Sequence, residues 1–233
     1  MIRKILFCTD GSSYAQEALQ YAAWTAKRTG ASVTGLYVSD LRRFEMPAVM
    51  DVGGSLGIQP YQSLVSSLQE AEKQKAALIE EFTRDAFRRE GLEEEISFET
   101  ATGMLADTIE EAEKDVDLVV IGKRGESAEH AIHHIGSTLE RVVRSSSRPC
   151  LVTNRTFREI GTVAFAYDDG PSCRKLVEFL EGSEWLRGFP LHLLFVDENE
   201  SGGDGTAGHL KSVESRLEEA GYSVRSEMLG GLP

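Results

Sequence analysis

The sequence predicts an α/β protein: a parallel sheet wound between helices, followed by a partial second copy of the same pattern. Three observations carry this reading. Short apolar runs alternate with segments of helical periodicity. One such run, Leu118 to Ile121, ends in a glycine turn, Gly122 and Gly125, before a helix-like segment opens at Gly136-Ser137-Thr138. Finally, residues 160–198 align with residues 2–40 without a gap. Phe7 meets Phe165, Asp10 meets Asp168, Gly30 meets Gly188 and Val38 meets Val196, the mark of an internal repeat.

Taken in order, residues 3–10 form strand one. Ser12 or Ser13 caps the helix that follows. Its Ala15, Ala18, Leu19, Ala22, Ala23 and Ala26 give a small-residue packing face, and Gly30 suits its C-terminal cap. Residues 31–39 form strand two, so a crossover helix joins parallel strands. Residues 40–60 hold two prolines, three glycines and no clean period, unusual for a connection inside a compact domain. They form either a lid or partner-binding loop or a disordered one; Met46, Val49, Met50, Leu56 and Ile58 favour packing.

Residues 61–89 are a long helix with an imperfect stripe through Leu64, Leu68, Ala71, Ala76, Leu78, Ile79, Phe82 and Phe87. Strand three covers 94–101, a short amphipathic helix 105–114, and strand four 117–121. Leu139, Val142 and Val143 share a face of the next helix. Strand five covers 148–154, with Pro149 at an edge or first position. The second copy repeats strand and helix to residue 198, then a glycine-rich loop, a helix over 209–220 and a strand over 222–228. It lacks a fourth strand, a glycine turn and a fifth strand. Its sheet edges are therefore expected to be left open by truncation or disorder, or completed by another chain.

Composition narrows the function classes. The 233 residues carry a net charge of −13, which duplex nucleic acid repels unless a basic patch is concentrated. The densest basic cluster is Arg141, Arg144 and Arg148, with Lys123 and Arg124 expected to fold near it. It is either a solvated helix face or a local positive potential. No apolar run approaches the ~18 residues of a membrane span. The opening run meets Thr9-Asp10-Gly11 instead of a cleavage site, so it reads as a strand and the chain as cytoplasmic. Cys8, Cys150 and Cys173 lack metal-ligand spacing; buried thiols are the default, with a reactive Cys8 near the pocket as the alternative. His130, His133 and His134 fall inside the loop between Gly125 and Gly136. They read as solvent-facing or phosphate-proximal more readily than as a metal site.

The glycine turn is where chemistry is expected. Glycines let backbone amides approach a ligand. A helix N-terminus presents unpaired amides and partial positive charge. The fitting ligand is a phosphate, with Ser137 and Thr138 adding hydroxyl donors. A plain capped strand-to-helix loop is the competing reading. No P-loop, dinucleotide fingerprint or Gly-x-Ser-x-Gly elbow occurs.

The pattern resembles the universal stress protein family in its tandem form. The carrying residues are Ile5-Leu6-Phe7-Cys8-Thr9-Asp10-Gly11-Ser12, Leu36-Tyr37-Val38-Ser39, Leu118-Val119-Val120-Ile121-Gly122 and Arg148-Pro149-Cys150-Leu151-Val152. The family's nucleotide motif is a Gly, two residues, a Gly, nine residues, then Gly-Ser or Gly-Thr. Here ten residues separate Gly125 from Gly136-Ser137, which reshapes the loop over the phosphates.

The resemblance implies a five-stranded doubly wound sheet of order 3-2-1-4-5, of the adenine nucleotide alpha hydrolase type. Residues 1–157 would be a nucleotide-binding domain, and 158–233 a partial domain that binds none. Thr9 and Asp10 would sit on the ribose or adenine side, and the Val38 backbone would read the adenine edge. Gly122, Gly125, Gly136, Ser137 and Thr138 would hold ribose and phosphates. Asp10 reads equally as a turn or capping residue. The implied ligand is ATP, or AMP or ADP, with Mg2+ carried on the phosphates. The implied role is regulation of a stress response. No base is positioned for γ-phosphate attack, so any hydrolysis is expected to be slow. The alternative is a scaffold with no nucleotide, working through dimerisation at strand five and the long 40–60 loop. A homodimer or an intramolecular pseudo-dimer of the two repeats is expected, with no nucleic acid or membrane partner.

Overall fold

The computed structural model describes residues 1–39, 60–125, 137–197 and 204–230. The chain divides into two compact units, Ile2–Phe157 and Arg158–Pro233, the latter with Met1.

The first unit contains β1 (Lys4–Thr9), α1 (Ser13–Thr29), β2 (Ser32–Ser39), α2 (Pro60–Arg89) and β3 (Ile96–Thr102). It continues through α3 (Leu105–Ala112), β4 (Leu118–Gly122), α4 (Ser137–Ser145) and β5 (Cys150–Thr153). All four strand pairings are parallel, and the order is β3-β2-β1-β4-β5, as the resemblance implied. A parallel central strand is covered on both faces, and β1 is buried from Ile5 to Cys8. On one face Leu6, Cys8, Leu36, Val119 and Ile121 pack against α3 and α4 through Ala106, Ile109, Leu139 and Val142. On the other, α1 lies over β1 and β4, and α2 over β2 and β3.

Local chemistry explains the boundaries. Ser12 is the α1 cap, its Oγ accepting from the Ala15 amide at 3.3 Å. Gly30 ends α1 at φ 68°, a left-handed value that costs glycine little. All six predicted small-face residues of α1 are buried. The stripe on α2 is narrower than predicted. Ala76, Ile79, Thr83 and Phe87 are buried, whereas Leu78 is 66% and Phe82 45% exposed. Thr83 escapes an apolar pattern but belongs in it, because its hydroxyl donates to the Ile79 carbonyl at 2.7 Å and so is satisfied within the helix. Val143 is likewise 47% exposed; only Leu139 and Val142 of the predicted α4 face reach the core. Residues 40–59, with their predicted packing, and the histidines at 130, 133 and 134 lie outside the described residues.

The second unit holds β6 (Val163–Tyr167), α5 (Pro171–Glu181), β7 (Pro190–Asp197), α6 (Asp204–Glu219) and β8 (Ser223–Gly230). Its parallel sheet has the order β6-β7-β8. The repeat holds at the level of register: Ile5 pairs with Val33 in the first unit, and their counterparts Val163 and Leu191 pair in the second. The third strands follow suit, with Val33 beside Ile96 and Leu191 beside Val224. Phe165 and Tyr167 are buried while Ala164 and Ala166 are exposed, so β6 is one-sided where β1 is two-sided.

Candidate nucleotide site

The sheet order reverses between β1 and β4, and open α/β sheets place ligands outside the carboxyl ends of the strands at such a point. There β1 ends at Thr9 and β4 at Gly122. Side chains occupy several amides of the β1–α1 turn. Thr9 Oγ1 accepts from the Gly11 amide at 3.2 Å, and Asp10 Oδ1 from the Ser12 amide at 3.0 Å. With the Ser12 cap, these bonds consume donors at the start of α1.

Two of the three glycines expected on the β4–α4 side, Gly122 and Gly125, stand close against the β1–α1 segment. A Cβ on Gly125 would lie 2.5 Å from Asp10 Oδ2, well inside van der Waals contact. Gly125 is not among the glycines at positive φ, so it serves close approach and not an unusual dihedral. A Cβ on Gly122 would meet the Cβ and carbonyl oxygen of Tyr14 at 3.1 Å, so this glycine seats β4 against the first turn of α1. Asp10 thus makes a turn with one oxygen and faces the glycine turn with the other. Val38 lies one residue past the last β1–β2 pair, Thr9 with Tyr37. Its side chain packs on the Leu6–Leu36 layer, and on the other side of β2 it is still paired, with Ala101 of β3. Ser137 opens α4. Gly136 lies outside the described residues, and of Ser137 and Thr138 only the backbone is described.

A cavity of about 500 Å3 lies beside this corner, between α1 and α2. It shares Thr9 and Asp10 with the site and is otherwise walled by groups such as Phe7, Leu19, Ile79 and Phe82. Val38, Gly122 and Gly125 do not line it. Sequence reading missed it because Leu78 and Phe82 were assigned to the core. The available signal was that α2 offers more apolar positions than one stripe can bury.

A polar network at the end of β2 was also missed. Tyr37 and Ser39, the neighbours of Val38, both donate to Glu72 Oε2 at 2.7 Å, and Lys75 lies 5.8 Å from the Tyr37 ring centre. Burial pushes the Glu72 carboxyl up, but the two hydroxyls and the Lys75 charge outweigh it and bring it below its ordinary 4.5. A depressed carboxyl stabilises the fold above its unfolded value and loses that contribution as pH falls through its folded value. The stability difference between the wild type and Glu72→Gln should therefore be constant near neutrality and shrink as pH falls below 4.5. Denaturant midpoints at pH 7, 4.5 and 3 measure it; a pH-independent difference would rule the network out as the cause.

The cluster arginines and Cys8 have contacts of their own. Arg144 pairs with Glu140, Arg141 lies 3.9 Å from Asp107, and Arg148 donates to the carbonyls of Glu113 and Lys114, so these arginines have partners of their own. Burial raises the Cys8 thiol far above its ordinary value, and Cys8 packs in the apolar layer toward α3 and α4, away from the cavity. Among the described residues no group of three His, Cys, Asp or Glu could hold a metal ion, and no helix is long and apolar enough to cross a membrane.

The model of the universal stress protein family matches residues 1–154. The chain belongs to the universal stress protein family. It is 36% identical over 237 aligned residues to universal stress protein Slr1230 of Synechocystis sp., covering 99% of this chain and 82% of that protein. A universal stress protein structure from Archaeoglobus fulgidus shares the fold with a TM-score of 0.65 at 20% identity, over 99% of this chain and 79% of the other. UspA from Lactobacillus plantarum matches with a TM-score of 0.50 at 26% identity, over 65% of this chain and 97% of that one. In this universal stress protein the matched segment ends at Asn154, just past β5. The family model therefore spans the whole five-stranded sheet and its candidate site.

Proposed function

We propose that the first unit binds an adenine nucleotide and acts as a regulatory module of a stress response, with hydrolysis slow or absent. The phosphates lie on the amides of the β4–α4 turn and the first turn of α4. Asp10 faces the ribose side, and the Val38 main chain meets the adenine edge. Mg2+ would ride on the phosphates, with water completing its shell. The observation that carries the reading is the side-chain-free approach of Gly125 to Asp10. It lets a strand-end carboxylate face the glycine turn, and backbone donors and partial positive charge at the helix start that follows would favour an anion. The second unit has Asp168 and Val196 as counterparts and binds no nucleotide.

The test is thermal unfolding with and without Mg·ATP. A ligand held at ~100 times its dissociation constant adds roughly 2.7 kcal/mol to the unit that binds it, a shift of several degrees. An unchanged transition at millimolar nucleotide leaves the second reading, an interaction scaffold. That reading has one observation in its favour: Val152 is 38% exposed on β5, an edge strand, suited to pairing with a second copy or another sheet.

A further inference from the structure

The turn that follows β1 recurs after β6, with one change. Asp168 Oδ1 accepts from the Gly170 amide at 2.7 Å, as Asp10 does from Ser12. The helices begin at the matching positions Ser13 and Pro171. Gly11, at φ 79°, is replaced by Asp169 at φ 58°, the one non-glycine at positive φ among the described residues. Left-handed backbone is unfavourable for a residue with a Cβ, and aspartate tolerates it better than most.

The Asp169 side chain is held from three elements. Tyr167 of β6 donates its hydroxyl to Oδ1 at 2.8 Å. Arg174 of α5 lies at 3.4 Å from Oδ1 and 3.5 Å from Oδ2. His209 Nδ1 of α6 lies 3.3 Å from Oδ2. Hydrogen bonds from Tyr167 and Arg174, with the charges of Arg174 and His209, outweigh burial and hold the carboxyl below its ordinary range. In the first unit the corresponding position has no side chain: a Cβ on Gly11 would meet Ile79 at 3.0 Å, and the counterparts of Tyr167 and Arg174 are the uncharged Thr9 and Gln16. Both belong to the wall of the first unit's cavity. The second unit thus places a charged cluster where the first has a void.

We propose that Asp169 is an internal anionic occupant of the second unit, and that Tyr167, Arg174 and His209 form an oxyanion cradle which this carboxylate keeps closed. The donor set is that of an oxyanion site: a guanidinium fork, a phenol and an imidazole, converging from three elements on one pair of oxygens. The carboxylate supplies the negative charge that a phosphate would otherwise bring. The strand end of the second unit is therefore self-satisfied.

The test removes the occupant and keeps the turn. Asp169→Gly restores the residue that the first unit has, at a dihedral glycine accepts. Inorganic phosphate is titrated into the full chain while the His209 imidazole resonances are followed, assigned by their loss in His209→Gln. This readout reports the second unit alone, so it is unaffected by whether the first unit binds nucleotide. The expected result is at least a tenfold gain in phosphate affinity at His209 in Asp169→Gly over the wild type, lost again in Asp169→Gly/Arg174→Gln. Equal affinity in the wild type and Asp169→Gly, or binding that survives the loss of Arg174, would overturn the proposal. Far-UV circular dichroism confirms that each variant is folded; should Asp169→Gly fail to fold, Asp169→Asn, which removes only the charge, must show the same direction of change.

Discussion

Glu113→Ala is expected to destabilise the first unit by about 3 kcal/mol, because hydrogen bonds to charged groups contribute roughly 1.5–3 kcal/mol each and one buried carboxylate accepts several of them. Glu113 follows α3 and is only 2% exposed. Its Oε1 accepts from the Ser147 amide at 2.6 Å and the Ser147 hydroxyl at 2.8 Å, and its Oε2 accepts from the Ser146 hydroxyl. Arg148 closes the knot through the Glu113 and Lys114 carbonyls at 3.2 and 3.0 Å. One carboxylate therefore ties the end of α3 to the turn between α4 and β5. At ~2–4 °C per kcal/mol for a chain of this size, the melting temperature should fall by about 10 °C. A fall of no more than ~2 °C in a circular dichroism melt would show that water replaces the carboxylate without loss. Because α4 also supplies the proposed phosphate-facing helix start, nucleotide affinity should fall in the same variant.

Gly125→Val is expected to lower nucleotide affinity at least ~30-fold, about 2 kcal/mol, with little change in stability. The new Cβ would stand 2.5 Å from Asp10 Oδ2, and the branched methyls fill the space in front of it. The nearest obstacle is a side-chain end, so Asp10 can turn away and the fold survives. What is lost is the corner: the carboxylate leaves its place and the amides of the turn are screened. Gly122→Val should behave differently, since its Cβ would press on the Tyr14 backbone carbonyl at 3.1 Å, which cannot turn aside, and stability falls with affinity. Titration calorimetry with Mg·ATP beside melts of both variants separates the two. Affinity retained in Gly125→Val would show that the nucleotide, if bound, is held elsewhere.

The strands and the repeat were legible because period and register are local. Apolar runs marked β1, β2 and β4, and a gapless alignment of residues 2–40 with 160–198 foreshadowed matching strand pairs. Legibility failed where tertiary context decides. Leu78, Phe82 and Val143 satisfy a helical period yet stay at the surface, because helix faces meet the sheet over a narrower arc than the pattern spans. Thr83 is buried against its type because its hydroxyl bonds within the helix. Glu113 offered no warning, since its partners lie more than thirty residues away and a glutamate in an acidic chain reads as surface. At the candidate site the glycines were readable as close-approach positions. That Gly125 approaches Asp10, and Gly122 approaches Tyr14, depends on β1 and β4 being neighbours, a long-range fact.

A structure of the protein with Mg·ATP bound tests the central claim most directly. The account predicts one nucleotide per chain, with its phosphates within hydrogen-bond distance of the backbone amides at Gly125 and at the start of α4, and its ribose beside Asp10. A nucleotide seated between α1 and α2 against Phe7 and Phe82, or one bound in the second unit, would contradict it.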